Sequence, residues 1–586
     1  MNTTKIEDTK NPATPRRFAV WPPVVLTVLY WIGYWTPAWL QLPISSGFFS
    51  VVIGGGLFVL LFTGWWLSRG AISRSERLLT FAALFVGLVS AVFYSDHSLG
   101  PMGVLFFGLP HLLTFWTGAL VLSRNLAANV RAPLTSAAFG IVFIGLGVIR
   151  TDGVDGYQHA DIRWRWAITK GELYLADLAK RSKEPAGDAA ASTAVLAAQP
   201  GDWTQFRGAD RDGAVHGVRL DTDWTAHPPK KIWRQRVGPA WSSIVIIGDR
   251  LFTQEQRGEQ EAVVCLDAAT GREIWAHLDD ASFSDGQAGP GPRATPTFHA
   301  GRLYTFGATG ILNCLDAATG KLHWTANVKT DSGASLPMWG FSSSPLVVDG
   351  LVVVNSGGKD DKGLFAYNAE SGKPVWNAPS GPMSYSSAQL VTLDGQRQIA
   401  FLGDSGASGL EIATGKSLWQ YAAPGKSWRA AIPCAVGASQ LLIGSEDLGL
   451  VQLDVARGGK GWTAARKWAT NNMKPAYNDV VVQDGFAYGL DGYILCCVDL
   501  ATGQRRWKGG RYGHGQILLL ADQPLLLVLS EKGDVALVAC NPEKSEELAR
   551  FQAIEGKTWN HPTLSRGRLY VRNDEEMACY EVTGKE

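Results

Sequence analysis

A ten-residue pattern recurs through about two thirds of the chain and limits what it can fold into. It reads LDAATGREIW ending at Trp275, LDAATGKLHW at Trp324, YNAESGKPVW at Trp376, LEIATGKSLW at Trp419 and VDLATGQRRW at Trp507. Weaker copies run from Leu453 to Trp468 and from Ala539 to Phe551, and Trp233, in KKIWRQRV, stands alone ahead of the first. Each copy is an apolar strand, a turn whose Asp or Asn can accept from backbone N–H groups and whose Gly accepts a left-handed backbone, and a short strand ending in Trp. Another strand pair precedes each copy, as in SSIVIIGDRLFTQ and HPTLSRGRLYV. Four antiparallel strands in a unit of roughly 40 to 50 residues make a propeller blade.

Counting the aromatics that end each outer strand gives Trp233, Trp275, Trp324, Trp376, Trp419, Trp468, Trp507 and Phe551. That predicts eight blades, with seven as the fallback because the copies at Trp468 and Phe551 are degenerate. After Phe551 the chain supplies only the inner strands of one more blade, so the Trp233 strand is expected to complete it and close the ring, removing exposed sheet edges. The aromatics themselves read as wedges between blades.

The first part of the chain is unlike this. Five apolar runs, Val20–Leu42, Phe48–Leu67, Leu78–Tyr94, Met102–Leu122 and Leu134–Ile149, each approach the ~20 residues that cross hydrocarbon. The first is too long for a secretory signal and has no small-residue cleavage site behind it, so it is expected to be retained. Lys5, Lys10, Arg16 and Arg17 precede the first run, Arg69, Arg74 and Arg77 follow the second, and Arg124 and Arg131 follow the fourth, while the alternate loops carry no Lys or Arg. The positive-inside rule then puts the N-terminus in the cytoplasm and everything after Arg150 outside it. Trp-rich edges (Trp21, Trp31, Trp35, Trp39, Trp65, Trp66, Trp116) read as interfacial anchors. His111 is the one ionisable residue well inside a crossing; it is either a quinone or proton site or an imidazole bonded to a neighbouring helix beside a Pro110 kink.

The expected organisation is a cytoplasmic terminus over 1–19, a five-helix membrane domain over 20–150, a surface helix and linker over 151–201, and an extracytoplasmic all-β propeller over 202–586. Within the linker, 161–180 has the periodicity of a helix lying on the membrane or capping the next domain. Residues 183–200 read as a tether. A net charge of +1 and the lack of basic–aromatic runs argue against nucleic acid. All seven cysteines lie in the propeller part, outside any CxxC or His-spaced metal motif, and read as small buried hydrophobes.

The DxxTGxxxW repeat resembles the propellers of pyrroloquinoline-quinone (PQQ) dehydrogenases and of the outer-membrane assembly lipoprotein built on the same repeat. DWTQFRGADRDG (202–213), with GPRATPT, WGFSSSP and KTWNHP, is similar to membrane-attached PQQ-like propeller proteins. Helices followed by an extracytoplasmic propeller also resemble the layout of membrane-bound quinoprotein glucose dehydrogenase. In the enzymes the resemblance implies PQQ over Ca2+, an Asp base and, in several, a disulfide between adjacent cysteines. Here Cys496 and Cys497 sit within a strand, ILCCVD, where side chains alternate across the sheet rather than line a channel.

Propellers bind ligands at the mouths of a channel lined by the first strand of each blade. Aligning the blades brings WSSIV, RATPT, FSSSP, YSSAQ, RAAIP, YNDVV, HGQIL and WNHPT to that position. The candidate ligand-binding residues are Arg293, Arg429, Lys474, Asn478, Asp479, Arg511, His514, Trp559 and Asn560, whose cations suit an anionic ligand. Asn478 and Asp479 offer hard oxygens for Ca2+, and Asp479 is a candidate base beside His514 or His561. The serines need no more explanation than a wet channel. The reading that results is a membrane-anchored scaffold of the cell envelope that binds a small anionic ligand, a glycan or an envelope protein. The alternative is a PQQ-dependent dehydrogenase that oxidises a sugar or alcohol and passes electrons to membrane quinone. No cofactor is required by the residues; PQQ and Ca2+ belong to the alternative.

Overall fold

The computed structural model describes residues 19–40, 49–156, 159–181, 196–382, 384–423, 428–459 and 461–582. It divides into two compact units, Met1–Ala167 and Ile168–Glu586. Most of the expected tether, 183–200, lies outside the described residues.

The first unit holds five apolar helices: α1 (Trp21–Trp39), α2 (Gly55–Leu67, entered through a π-helical turn at Ser50–Gly54), α3 (Arg74–Tyr94), α4 (Gly100–Ser123) and α5 (Ala128–Val148). Among the described residues four segments are long and apolar enough to cross a bilayer, Ser50–Leu67, Arg74–Tyr94, Gly103–Ser123 and Ala128–Val148. The expected fifth, α1, falls short because Pro22, Pro23, Tyr30, Tyr34, Thr36, Pro37 and four Trp dilute its hydropathy. It packs through polar contacts on α4 instead: the Thr27 and Thr117 hydroxyls are 2.7 Å apart and Trp31 Nε1 donates to Thr114 Oγ1 at 2.8 Å. Ser73 caps α3 by accepting from Glu76 N, the first half of a capping box. The Glu76 carboxylate in turn accepts from buried Arg131 at 2.7 Å, joining the starts of α3 and α5. His111 Nδ1 lies 2.6 Å from the carbonyl of Phe107 in its own helix, and its ring edge meets Trp31 of α1.

Residues 161–166 are not helical. Ala160–Trp164 pairs with Ile149–Val154 in a hairpin directly after α5, because DIRWRW alternates charged and apolar residues at the period of a strand. The helix begins only at Lys170, as α6 (Lys170–Arg181) in the second unit. It caps the propeller: Lys170 meets Asp574 and Glu575 at 3.1 and 2.5 Å, Tyr174 bonds Glu255, Asp177 meets Arg236 at 3.2 Å and Arg181 bonds Gln235.

Eight antiparallel sheets follow. Blade 1 spans Val245–Asp279, blade 2 Thr297–Asn327, blade 3 Leu346–Ala378, blade 4 Gln389–Ala422, blade 5 Cys434–Thr470, blade 6 Val481–Arg511 and blade 7 Gln516–Gln552. Blade 8 takes three strands from Thr563–Glu581 and its outer strand from Lys230–Arg236, where Trp233 pairs with Cys579. The ring is therefore closed by its own N-terminal strand, as the lone Trp233 predicts. Cys496 and Cys497 alternate as expected, one into each of two neighbouring core clusters.

The repeat's Trp and Gly act together across blades. Trp275 Nε1 donates to Ala317 O at 3.2 Å in the next blade, Trp324 to Ala369 O at 3.0 Å, Trp376 to Ile412 O at 3.0 Å and Trp233 to Ala268 O at 3.1 Å. The same indoles lie flat on the turn glycine of that blade. A Cβ at Gly320 would come within 2.5 Å of Trp275, and one at Gly415 within 2.4 Å of Trp376, both glycines having φ near +70°. Trp419 breaks the pattern and donates to Gln398 of its own blade, because blade 5 replaces the tight turn with a long hairpin over Gly449–Thr470.

Trp376→Ala is expected to destabilise the propeller by ~3–5 kcal/mol, and Gly415→Ala to destabilise it through both backbone strain and the clash with the same indole. Denaturant unfolding of the two single variants and the double variant checks this: the double should cost less than the sum, since both act on one contact.

Candidate functional site

The channel is not empty. The segment DWTQFRGADRDG crosses it and bonds to blade after blade. Trp203 exchanges backbone bonds with Ile246 of blade 1, Thr204 O accepts from Phe298 N of blade 2, and Arg211 donates to Ser344 O and Pro345 O at blade 3. Gln389 of blade 4 donates to Asp210 O, Arg207 donates to Val480 O at blade 6, Ala214–Val215 adds a parallel strand to blade 7, and Asp202 pairs with Arg566 of blade 8 at 2.7 Å. A segment touching seven of the eight blades must cross the ring axis. Arg207 and Arg211, each 1 % exposed, are its two keys. Both have left-handed φ, 60° and 57°, which aims successive side chains at opposite walls. Burial beside the Arg207 guanidinium pulls Arg211 down to about 9, so it stays charged at neutral pH.

Above this plug the inner strands are joined blade to blade by a ring of acceptors. Ser243 N donates to Thr295 Oγ1, Thr295 N to Ser344 Oγ, Ser344 N to Ser387 Oγ, and Ile432 N to Asp479 Oδ1, at 3.0, 3.0, 2.9 and 2.8 Å. Asp479 thus takes the place that hydroxyls hold between other blades. Its second oxygen lies 3.6 Å from Arg207 Nε and 3.3 Å from His561 Nε2. Burial raises its carboxyl, but Arg207 and His561 outweigh that and hold it below its ordinary value. The candidate base and metal ligand is therefore a carboxylate committed to the plug. His561 packs edge-on to Phe206 of the plug at 4.8 Å.

Side-chain amides form a second relay. Asn478 Nδ2 donates to Gly515 O at 2.6 Å, Gln516 Nε2 to Trp559 O at 3.0 Å, and Asn560 Nδ2 to Ser242 O at 2.7 Å. The amide oxygens of Asn478, Gln516 and Asn560 are buried and have no protein partner. Both ring nitrogens of buried His514 are likewise unpartnered, and burial pulls it down to about 4. Its ring stacks on Tyr477 at 4.8 Å.

At the mouth opposite the plug the lining becomes aromatic. Trp241 and Trp559 have centroids 4.9 Å apart, with Lys557 Nζ 5.0 and 4.6 Å from their rings. Trp559 meets Tyr477 at 5.2 Å, and Trp339 meets Trp428 at 4.4 Å and Tyr385 at 5.1 Å. Of this rim, the inner-strand segments already carry Trp241, Tyr385, Tyr477 and Trp559, whereas Trp339 and Trp428 were missed because they lie in loops that no repeat aligns.

The expected cations do not converge on this mouth as a free patch. Arg293 is held by Asp285 at 2.5 Å and Gly289 O at 2.7 Å, with its guanidinium 4.6 Å over Phe283, so it staples the loop that arches over blades 1 and 2. Arg429, fully buried, bonds Asp447, Ser445 and Ala423 O. Arg511 ends the exposed outer strand of blade 6, opposite Ile494, and Lys474 is half-buried in the loop ahead of that blade. Asn478, His514, Trp559 and Asn560 do come together. No cluster of three or more His, Cys, Asp or Glu able to hold a metal occurs among the described residues.

Residues 259–509 match the model of a family described as outer membrane protein assembly factor BamB, and the domain is an eight-bladed propeller of the PQQ-repeat type. Outer membrane protein assembly factor BamB of Bordetella pertussis is 28 % identical over 324 residues, 52 % of this chain and 72 % of that protein. Quinohemoprotein alcohol dehydrogenase ADH-IIG of Pseudomonas putida is 30 % identical over 171 residues, 25 % of this chain and 23 % of that protein. Among solved structures, BamB from Moraxella catarrhalis aligns at 16 % identity and a TM-score of 0.45, over 60 % of this chain and 99 % of that one.

Asp479→Ala is expected to cost ~3–5 kcal/mol by leaving Arg207 buried without its carboxylate. Arg207→Met combined with Asp479→Ser should recover most of that, since a hydroxyl still receives Ile432 N; thermal unfolding of the three variants checks it. The neutral form of His514 is favoured in the fold, so its stabilisation is complete above about pH 6.5 and is lost as pH falls toward 4, about 2 kcal/mol at pH 5. His514→Gln should therefore narrow the gap between melting temperatures at pH 7.5 and pH 5, with His561, also depressed by burial, accounting for what remains.

Proposed function

We propose that this protein is a membrane-anchored binding scaffold of the cell envelope, its propeller held outside the cytoplasm and its aromatic mouth the recognition surface. The observation that carries this is the division of the channel. At one end Arg207 and Arg211 fix the plug and consume Asp479, so the floor's ionisable groups are spent on the fold. At the other, Trp241, Trp339, Trp428, Tyr477 and Trp559 are half-buried rings at the surface, the residue types that dominate recognition. The amide oxygens of Asn478, Gln516 and Asn560 are acceptors without a protein partner, which suits a ligand rich in N–H or O–H donors, a glycan or a polar peptide, better than an anion. The Bordetella relative carries the name of an outer membrane protein assembly factor, in keeping with a partner among envelope proteins.

Orientation rests on the loops. Arg69, Arg74 and Arg77 lie before or at the start of α3, and Arg124 and Arg131 before or near the start of α5, whereas the α3–α4 loop holds no Lys or Arg. Arg131 is paired with Glu76, which leaves the other four as the free signal. The alternation depends on α2 to α5 alone, so the segment after α5 emerges outside whether or not α1 crosses.

Adding PQQ with Ca2+ to the purified protein should leave its melting temperature unchanged. An upward shift needing both additives, ~2.7 kcal/mol at 100 times the dissociation constant, would favour the quinoprotein dehydrogenase instead. A photo-crosslinker at exposed Met338, beside the rim, should give a discrete envelope adduct that one at Asp249, in an exposed turn at the plug end, does not. Equal labelling from both positions would remove the mouth as the recognition surface.

A further inference from the structure

Among the described residues, the hairpin after α5 carries an apolar row that is left exposed. Its register, Ile149↔Trp164, Arg150↔Arg163 and Thr151↔Ile162, puts Ile162 and Trp164 on one face and Asp161 and Arg163 on the other. Trp166 continues the apolar row. Ile162, Trp164 and Trp166 are 46, 56 and 69 % exposed, and the two indoles stack face to face, 5.4 Å apart and 5° from parallel. On the opposite face Arg163 Nε donates to Asp161 at 2.8 Å. Two stacked indoles left facing water would be a costly arrangement, so the row calls for an occupant.

The occupant follows from where the hairpin is pinned. Arg165 N donates to Val148 O, the last residue of α5, and Arg165 Nη1 to Tyr94 O, the last residue of α3, both at 2.9 Å. Thr151 N donates to Ser98 Oγ in the loop between α3 and α4 at 3.0 Å. Both α3 and α5 have 21 residues, about 31 Å of helix, which matches the hydrocarbon thickness. The hairpin therefore sits where hydrocarbon gives way to headgroups. Phe93 and Tyr94, 79 and 72 % exposed at the end of α3, extend the same aromatic band. Indoles partition to that depth because the ring is apolar and its N–H still reaches water.

We infer that residues 149–156 and 159–166 form an interfacial hairpin that docks on the lipid headgroup layer, with Ile162, Trp164 and Trp166 entering the headgroup–acyl boundary and Asp161 and Arg163 kept in water. This rests on the reading of α3 and α5 as membrane-crossing helices. The hairpin fixes the depth and tilt at which the chain leaves the bilayer.

The test uses the full chain in nanodiscs of phosphatidylethanolamine and phosphatidylglycerol, with single nitroxide labels at Ile162→Cys, Trp164→Cys, Arg163→Cys and, in the middle of α3, Phe85→Cys. A Cys540→Ala background removes the one native cysteine that is not fully buried. Accessibility to oxygen relative to a water-soluble nickel chelate should be several-fold higher at 162 and 164 than at 163, and higher still at 85. Labels at 162 and 164 as open to nickel as that at 163, with 85 lipid-embedded, would overturn the hairpin inference and leave the crossing helices standing. Labels at 162 and 164 shielded from both reagents would also overturn it, by showing a protein partner. A water-exposed label at 85 would overturn both readings. Should a cysteine variant fail to fold, quenching by brominated lipid gives a second measure: the quenched fraction of tryptophan emission should fall in Trp164→Phe/Trp166→Phe, and an unchanged fraction would sink the inference.

Discussion

Most blades supply an indole that reaches the turn of the next, blades 4 and 7 being the exceptions, and the ring stands on that relation. Trp233, Trp275, Trp324 and Trp376 each lie on a turn glycine of the following blade and donate to a carbonyl beside it. The glycine is doubly required, for its positive φ and for the space its missing Cβ leaves. A blade is thus never complete alone; its outer strand is finished by its neighbour's turn. The same dependence makes closure by Lys230–Arg236 necessary, because an unclosed ring would leave one indole without a turn and one turn without an indole.

A ring of eight blades leaves an axis too wide for its inner strands to fill, and the chain fills it with its own residues 202–215. Charge does this where hydrophobic side chains cannot reach: guanidinium groups accept no bonds but donate in a fork, so Arg207 and Arg211 can each satisfy several carbonyls on facing strands. Asp479 balances the pair and bridges blades 5 and 6. Toward the other mouth the lining changes to half-buried rings and to buried amide oxygens without a protein partner.

The parts legible in the sequence are those that repeat. Seven copies of one strand–turn–strand pattern and the lone Trp233 together set the blade count, and Trp233, with no copy in front of it, marked the closing strand. The inner-strand alignment also brought Asn478, His514, Trp559 and Asn560 toward one end of the channel. What it could not show was which charges are paired. Arg293 and Arg429 looked like free cations because Asp285 and Asp447, which neutralise them, sit 8 residues before one and 18 after the other in loops outside the repeat. DWTQFRGADRDG was visible as a motif, but nothing in its composition says that it runs through the ring rather than ahead of it. The 161–166 expectation failed for a local reason, a two-residue alternation read as helical periodicity.

The plug and the closing strand both lie near the start of the propeller, yet blades 7 and 8, which receive Ala214–Val215 and Lys230–Arg236, are the last to be made. During synthesis these two early segments must wait, unpaired, while some 300 residues pass, and none of the intermediate lengths can reach a finished ring. Such long-range pairing is slow and exposes strand edges while it is pending. A chain cut before Thr563–Glu581 would leave the Lys230–Arg236 strand without its partner, so the seam can shut only after the last blade has been made.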